Sequence, residues 1–199
     1  MLSKIWGGVM KKIDVYDFDG TIYDGDSTVD FFFYCLKRNK RIIPFCFNIL
    51  GNGILMVGHV INLTEFKGRF LGFVKYINNI DDYLDGFWKE NEHKICKYFL
   101  DNMKEKRQTF IISASPEFII KPFSSKFDNV TLIGTLADKN TGKIKGINCK
   151  GEEKIKRLNK VISNYKIERF YSDSKADLPL VRISEKAYLV QHGKLSKFD

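Results

Sequence analysis

The pentapeptide Asp17-Phe18-Asp19-Gly20-Thr21 constrains this chain more than any other stretch. It follows Lys12-Ile13-Asp14-Val15-Tyr16, a short apolar-rich run that reads as a buried β-strand. Carboxylates at the end of a core strand are costly unless something compensates them. Along a continuing strand Asp17 and Asp19 would share a face. Gly20 favours a tight turn there, which lets both carboxylates converge on one pocket. A strand followed by an acidic turn is the plainer reading, and the choice between the two depends on the partners supplied by the rest of the chain.

The chain has 199 residues, enough for one domain with a sizeable insertion. Its net charge of +9 invites a nucleic-acid or anionic-membrane partner. The lysines, however, are spread along the whole chain and no familiar nucleic-acid motif occurs, so no nucleic acid is expected. Cys35, Cys46, Cys96 and Cys149 form no CxxC and read as small apolar residues in a reducing compartment. His59, His93 and His192 are isolated, which argues against zinc. Residues 1–10 hold no apolar run of signal-peptide length, so the expected location is cytoplasmic. Met10-Lys11-Lys12 reads as a natural start, with residues 1–9 an extension.

After the acidic turn, Ser27 and Asp30 resemble a capping box that opens a helix running to Cys35 or Leu36. The basic run Lys37-Arg38-Asn39-Lys40-Arg41 suits that helix's C-terminus. Residues 42–64 contain no Asp, Glu, Lys or Arg. Gly51-Asn52-Gly53 is a turn signal within them, so the first reading is a hairpin of two short helices in a helical insertion. The second is the same hairpin dipping into a membrane interface, anchored by the basic run. The third is a transmembrane span. Helices are expected at Glu65–Tyr76 and about Asp81–Leu100, which makes residues 26–105 one helical block.

The period then changes. Gln108–Ser113 and Asn129–Leu136 read as strands, with a helix over Glu117–Phe123 between them. Lys143–Ile147 is expected to pair back as a small β-hairpin. Gly151-Glu152-Glu153-Lys154 opens a helix, and Glu168–Tyr171 is a strand ending in Ser172-Asp173-Ser174-Lys175-Ala176-Asp177. A helix at about Pro179–Ser184 and a strand at Ala187–Gln191 close the chain. Strands alternating with helices imply an α/β fold with a mostly parallel sheet.

Asp17/Asp19, Ser113 and Asp173/Asp177 all fall at carboxyl ends of these strands, where open α/β sheets bind ligands. Singly, each has a bland explanation: a solvated face, a cap, a surface lysine at Lys154. Two carboxylates ~4 Å apart repel by roughly 4 kcal/mol at an effective dielectric of 20. Asp17, Asp173 and Asp177 together therefore call for a cation, and all-oxygen ligands favour Mg²⁺. A cation and Lys154 in a carboxylate pocket describe an anion site, with phosphate the obvious anion. A carboxylate can attack phosphorus, and a second, protonated one can serve the leaving alkoxide.

In this order, Asp17-Phe18-Asp19-Gly20-Thr21, Ser113, Gly151-Glu152-Glu153-Lys154 and Ser172-Asp173-Ser174-x-x-Asp177 resemble the four motifs of the haloacid dehalogenase superfamily. The resemblance spans Ile13 to about Leu195. It implies a Rossmann-like core over residues 10–25 and 106–199, capped by the helices of 26–105. It further implies Asp17 as nucleophile and metal ligand, and Asp19 as general acid/base with its carbonyl on Mg²⁺. Gly20, Thr21, Ser113, Ala114 and Lys154 would bind phosphate, with Ser113 and Lys154 also serving catalysis. Asp173 would ligate the metal, with Ser174 and Asp177 behind it. Dehalogenases of the superfamily lack an Asp at the position of Asp19, so the chain resembles a phosphatase. It is similar to the phosphoserine-phosphatase-like branch. Asn148-Cys149-Lys150 before the third motif and Tyr171 before the fourth bring it near the phosphatidylglycerophosphatase C type, although the fourth motif begins with Ser172 in place of the commoner Gly. The implied substrate is a phosphorylated lipid head group, with peripheral contact at the inner face of an anionic membrane. The alternatives are a small soluble phosphomonoester such as phosphoserine, or a non-catalytic phosphate-binding module.

Overall fold

The computed structural model describes residues 10–60 and 62–198, so the proposed extension at 1–9 lies outside the described residues. Six strands form one sheet in the order β3-β2-β1-β4-β5-β6. They are β1 (Lys11–Tyr16), β2 (Thr109–Pro116), β3 (Val130–Thr135), β4 (Tyr165–Ser172), β5 (Ser184–Gln191) and β6 (Lys194–Lys197). The first five are mutually parallel, and β6 is antiparallel to β5. Helices α1 (Ser27–Arg38), α2 (Ile43–Val57), α3 (Leu63–Phe70), α4 (Ile80–Asn91) and α5 (Lys97–Met103) lie between β1 and β2. Then α6 (Glu117–Ser124) links β2 to β3, α7 (Glu152–Val161) precedes β4, and α8 (Leu178–Arg182) links β4 to β5.

Alternation along the central strands explains the two layers of core. Ile13 and Val15 of β1, with Phe110 and Ile112 of β2, face Leu158 and Leu180 of α7 and α8. Tyr16 and Ile111 face the opposite layer, beside Phe18, Ile119, Phe123 and the aromatics of the helical block. The central strands are apolar on both sides, as a parallel sheet with helices on both faces requires. Stacked rings cross this face from strand to strand: Tyr16 on Tyr171 at 4.4 Å and Tyr171 on Tyr188 at 4.8 Å. Asp14 interrupts the apolar pattern of β1. It is buried and accepts from Arg107 Nε at 3.0 Å and Arg169 Nη2 at 2.5 Å, a charge-assisted pairing that compensates its burial.

The helical block shares the second core layer with the sheet. Phe31 of α1, Phe87 and Trp88 of α4 and Phe99 of α5 pack into one apolar cluster with Phe18 and Phe123. Trp88 Nε1 also donates to the Ile119 carbonyl of α6 at 2.8 Å. In contrast, α2 and α3 pack mainly on each other and on the 3₁₀ turn at Leu71–Tyr76.

Several local expectations need correction. The cap of α1 is Asp26, whose Oδ1 accepts from Thr28 N and Val29 N at 2.9 and 3.0 Å, and not a Ser27–Asp30 box. A capping box does occur at α3, where Asn62 and Glu65 bond reciprocally. Gly51-Asn52-Gly53 does not turn but lies inside α2, and the chain reverses after Val57, where Gly58 caps α2 and His59 adopts φ 57°. The long helix expected over 81–100 breaks at residues 92–96, where Ile95 bridges to Tyr23. The hairpin expected at Lys143–Ile147 is reduced to one bridge, Ala137 to Ile144. The hairpin of this fold is β5–β6, closed by His192 and Gly193 at φ 48° and 72°. Two consecutive positive φ values fit a two-residue turn that matches the strand twist.

Candidate active site

β1, β2 and β4 end at the same edge of the sheet, and the side chains just past those ends meet there. Asp17 follows the last residue of β1, and its N–H is held by the Tyr171 carbonyl of β4 at 2.9 Å. Its Oδ1 accepts from Phe18 N at 2.8 Å and from Lys154 Nζ at 3.0 Å. No hydrogen bond among the described residues occupies Oδ2. Lys154 comes from the first turn of α7 and is fully buried, with its other contact at Asp177 Oδ2, 2.8 Å away. Burial alone would lower the lysine, but the charges of Asp17 and Asp177 more than offset it and the ammonium is held above its ordinary range. Burial pushes the Asp17 carboxyl up to about 7, opposed by Lys154 and reinforced by Asp177.

Asp177 is positioned by Ser172, whose hydroxyl donates to Oδ2 at 2.8 Å. The serine that departs from the commoner glycine of the fourth motif thus has a definite contact. Asp173 lies against Gly20. That glycine adopts φ +68°, and a Cβ there would stand 2.2 Å from Asp173 Oδ2. Positive φ and the close approach both require glycine. Burial raises the Asp173 carboxyl, helped by Asp177 and opposed by its own backbone N–H and Lys154.

Asp19 is gripped from two sides. Ser27 N, at the start of α1, donates to Oδ1 at 2.6 Å. Ser115 Oγ, from β2, donates to Oδ2 at 2.5 Å and lies 3.0 Å from Thr28 Oγ1. Burial raises the Asp19 carboxyl, the nearby Asp26 charge adds to this, and the two hydrogen bonds oppose it. Ser113 is buried and its Oγ accepts from Ser115 N at 3.0 Å. Ala114 and Ser115 line a cavity of about 150 Å³ between the sheet edge and α3.

Not every expected residue joins this group. Thr21 is buried with its hydroxyl unpartnered, while its carbonyl accepts from Tyr98 OH at 2.9 Å. Ser174 accepts from Ala176 N and caps the 3₁₀ turn at Lys175–Asp177. Among the described residues no three His, Cys, Asp or Glu side chains cluster as a metal site. The donors on offer are fewer and all oxygen: the carboxylates of Asp17 and Asp173 and the backbone carbonyl of Asp19. With Asp177 close by and Lys154 the single buried cation among them, negative charge is in excess, and a hard divalent cation fits that set.

Sequence reasoning missed Ser115, Thr28 and Lys67. Ser115 had a signal, because it shares a strand face with Ser113. Lys67 on α3 lines the same cavity, and its place there depends on how α3 packs over the sheet edge.

The family model of the haloacid dehalogenase-like hydrolases matches residues 15–182. Among curated proteins, a histidinol-phosphatase of Neisseria meningitidis serogroup C (strain 8013) is 36% identical over 45% of this chain and 46% of its own. The chain spans about half the length of the curated relatives it matches. Among solved structures, a protein of unknown function from Bordetella pertussis Tohama I superposes with a TM-score of 0.73 over 89% of each chain, at 16% identity. A phosphoserine phosphohydrolase-like protein from Francisella tularensis subsp. tularensis SCHU S4 gives 0.54 over 89% of this chain and 86% of its own, at 15% identity. At such identities the likeness is one of fold.

Proposed function

Because the chain belongs to the haloacid dehalogenase-like hydrolase family, we propose that it is a phosphomonoester phosphatase working through an aspartyl-phosphate at Asp17. The observation that carries this reading is the charge arrangement. Asp17 lies at the sheet edge with Oδ1 held by Phe18 N and Lys154, and Asp19, two residues on, has its own separate hydrogen bonds. In the first step Asp17 Oδ2 attacks phosphorus, the ester P–O bond breaks, and the departing oxygen takes a proton from Asp19. In the second, Asp19 takes a proton from water, the water oxygen attacks phosphorus, and the P–Oδ2 bond breaks to return the carboxylate. Lys154 offsets the negative charge of Asp17 and the phosphoryl oxygens, and Ser113 Oγ has a proton free to donate to them. Asp17, the Asp19 carbonyl and Asp173 would hold Mg²⁺, which when bound supplies positive charge to the phosphoryl oxygens. Asp177 acts as the partner that fixes Lys154.

The test is phosphate release from a panel of lipid phosphates, phosphoserine, sugar phosphates and nucleotides, with Mg²⁺ or chelator. Asp17→Asn is expected to lower turnover by on the order of a thousandfold or more. Unchanged release in that variant would overturn Asp17 as nucleophile, and release from no ester by the unaltered protein would favour a non-catalytic phosphate-binding role.

One observation supports a lipid head group over a small soluble ester. Ile43, Phe47, Leu50, Ile54 and Val57 recur along α2 at alternating steps of four and three, and all are exposed, Phe47 and Val57 at 76%. The other side of α2 is tied to the protein by Phe45, Cys46 and Ile49. The segment Lys40–Val57 has a mean hydropathy of 1.2 and is 6% buried. At 15 residues and ~1.5 Å per residue, α2 falls short of the ~30 Å hydrocarbon core. It therefore suits lying in an interface, with Lys37, Lys40 and Arg41 at its basic end. Phe47→Ser with Leu50→Ser is expected to abolish co-sedimentation with anionic vesicles, and an absence of vesicle binding by the unaltered protein would favour the soluble ester.

A further inference from the structure

Lys67 faces the catalytic edge from α3, in the cavity that also borders Thr28, Val29, Ser115, Phe70 and Ile144. Among the described residues no hydrogen bond or ion pair at contact distance holds its ammonium. The carboxylates of Asp26, Asp19 and Asp17 act on it from beyond contact distance, and Lys150 acts against it. Of these, Asp26 lines the cavity itself, and its Oδ1 is spent on the N-terminus of α1. A solvated surface lysine would need no partner, but this one is half-buried between aromatic and aliphatic side chains. A cation in such a place is unfavourable until an anion joins it.

The position of the cavity tells which part of a substrate it receives. Asp17 and Lys154 do not line it, whereas Ser115, which holds Asp19, does. It therefore lies on the side of Asp19 toward which a leaving group departs, while the phosphoryl group is met by Lys154 on the other side. At about 150 Å³ it accommodates a few heavy atoms between largely apolar walls, with Lys67 its one cation and Asp26 its one carboxylate.

We infer that this cavity is a leaving-group subsite in which Lys67 binds a second anion carried by the substrate. The ligand class is a phosphomonoester whose alcohol bears a carboxylate or a phosphodiester within a few bonds of the ester oxygen. This deepens the phosphatase reading above and rests on it. A carboxylate on a small soluble ester and a phosphodiester on a lipid supply the same charge, so the subsite alone does not choose between them.

Matched esters test this with the full-length protein and Mg²⁺. One pair is 3-phosphoglycerate against glycerol 3-phosphate, and the other is phosphoserine against phosphoethanolamine. Glycerophosphoglycerophosphate, presented free or on a diacylglycerol in vesicles, separates the soluble source of the anion from the lipid one. The expected result is a kcat/KM preference of roughly ten- to hundredfold for the anionic member, the size of a charged hydrogen bond. Lys67→Ala and Lys67→Gln should bring that ratio close to one, with Lys67→Arg restoring most of it. A thermal melt of each preparation identifies a misfolded variant, and the ratio in the unaltered protein then decides. No preference in the unaltered protein would overturn the subsite while leaving the phosphatase standing. Equal losses on both members of a pair, in a variant whose thermal melt is unchanged, would place Lys67 at the phosphoryl group and overturn it as well. Turnover of no ester at all would overturn the phosphatase reading and the subsite together.

Discussion

Ser115 ties the carboxylate of Asp19, the proposed acid/base, to the sheet and, through Thr28, to α1. Its hydroxyl holds Asp19 Oδ2, while Ser27 N holds Oδ1, so the carboxyl has one orientation. Removing the serine leaves Asp19 held from one side. Ser115→Ala should lower kcat about tenfold on an alkyl phosphate, in line with one hydrogen bond to a charged group. The loss on nitrophenyl phosphate should be smaller, because that leaving group departs without needing a proton. Equal losses in the two assays would mean that Ser115 supports the fold and not the acid. At this scale the sequence was readable where a side chain's partner is near in the chain or fixed by strand ends. Asp17 and Lys154 meet as their motif order implies, whereas the contact of Asp177 with Lys154 was not foreseen, Asp177 having been expected only behind the metal. Lys67 was not readable, because its surroundings come from β2, the loop after β3 and α1 together.

Helix α2 shows how an element escapes its local signals. Gly-Asn-Gly favours a turn, and two interior glycines cost roughly 1 kcal/mol each relative to alanine. Tertiary contacts override that preference. Asn52 Nδ2 donates to the Asn48 carbonyl at 2.7 Å, and Oδ1 accepts from Arg69 Nη1 of α3 at 2.8 Å, pinning the two helices together. A Cβ at Gly51 meets nothing within 4 Å. Gly51→Ala is therefore expected to stabilise the protein by about 0.5–1 kcal/mol, read from the midpoint of chemical denaturation. A loss of stability would restore the turn. The β5–β6 hairpin was missed for the converse reason: His192-Gly193 is a less usual pair for a two-residue turn than Asn-Gly, so nothing flagged it. The parallel strands were legible because their apolar runs are long and end in turn residues.

Across the whole molecule, the apolar layer that joins α1, α4 and α5 to the sheet leaves α2 and α3 as the part with fewest ties to the core. The exposed apolar stripe and Lys67 are both on that part, so the proposed leaving-group subsite and the proposed surface contact both fall on it. The opposite property holds at the sheet edge, where charge is buried. In the metal-free protein the folded Asp17 carboxyl lies near 7 against 3.8 for an ordinary one. Between those values the folded state keeps a proton that the unfolded state has lost, so stability falls as pH rises through the window. Mg²⁺ should raise the melting temperature more above this window than below it, since the cation meets an ionised carboxylate only there. Equal shifts at both ends would mean that the metal does not bind at Asp17.

The covalent step is the centre of the account, and acid-quenched turnover followed by peptide mass spectrometry tests it most directly. The peptide containing Asp17 should carry a phosphoryl group during turnover, labile to hydroxylamine and missing in Asp17→Asn. Steady release of phosphate with that peptide unmodified at every quench time, or with the phosphoryl group on another residue, would contradict it.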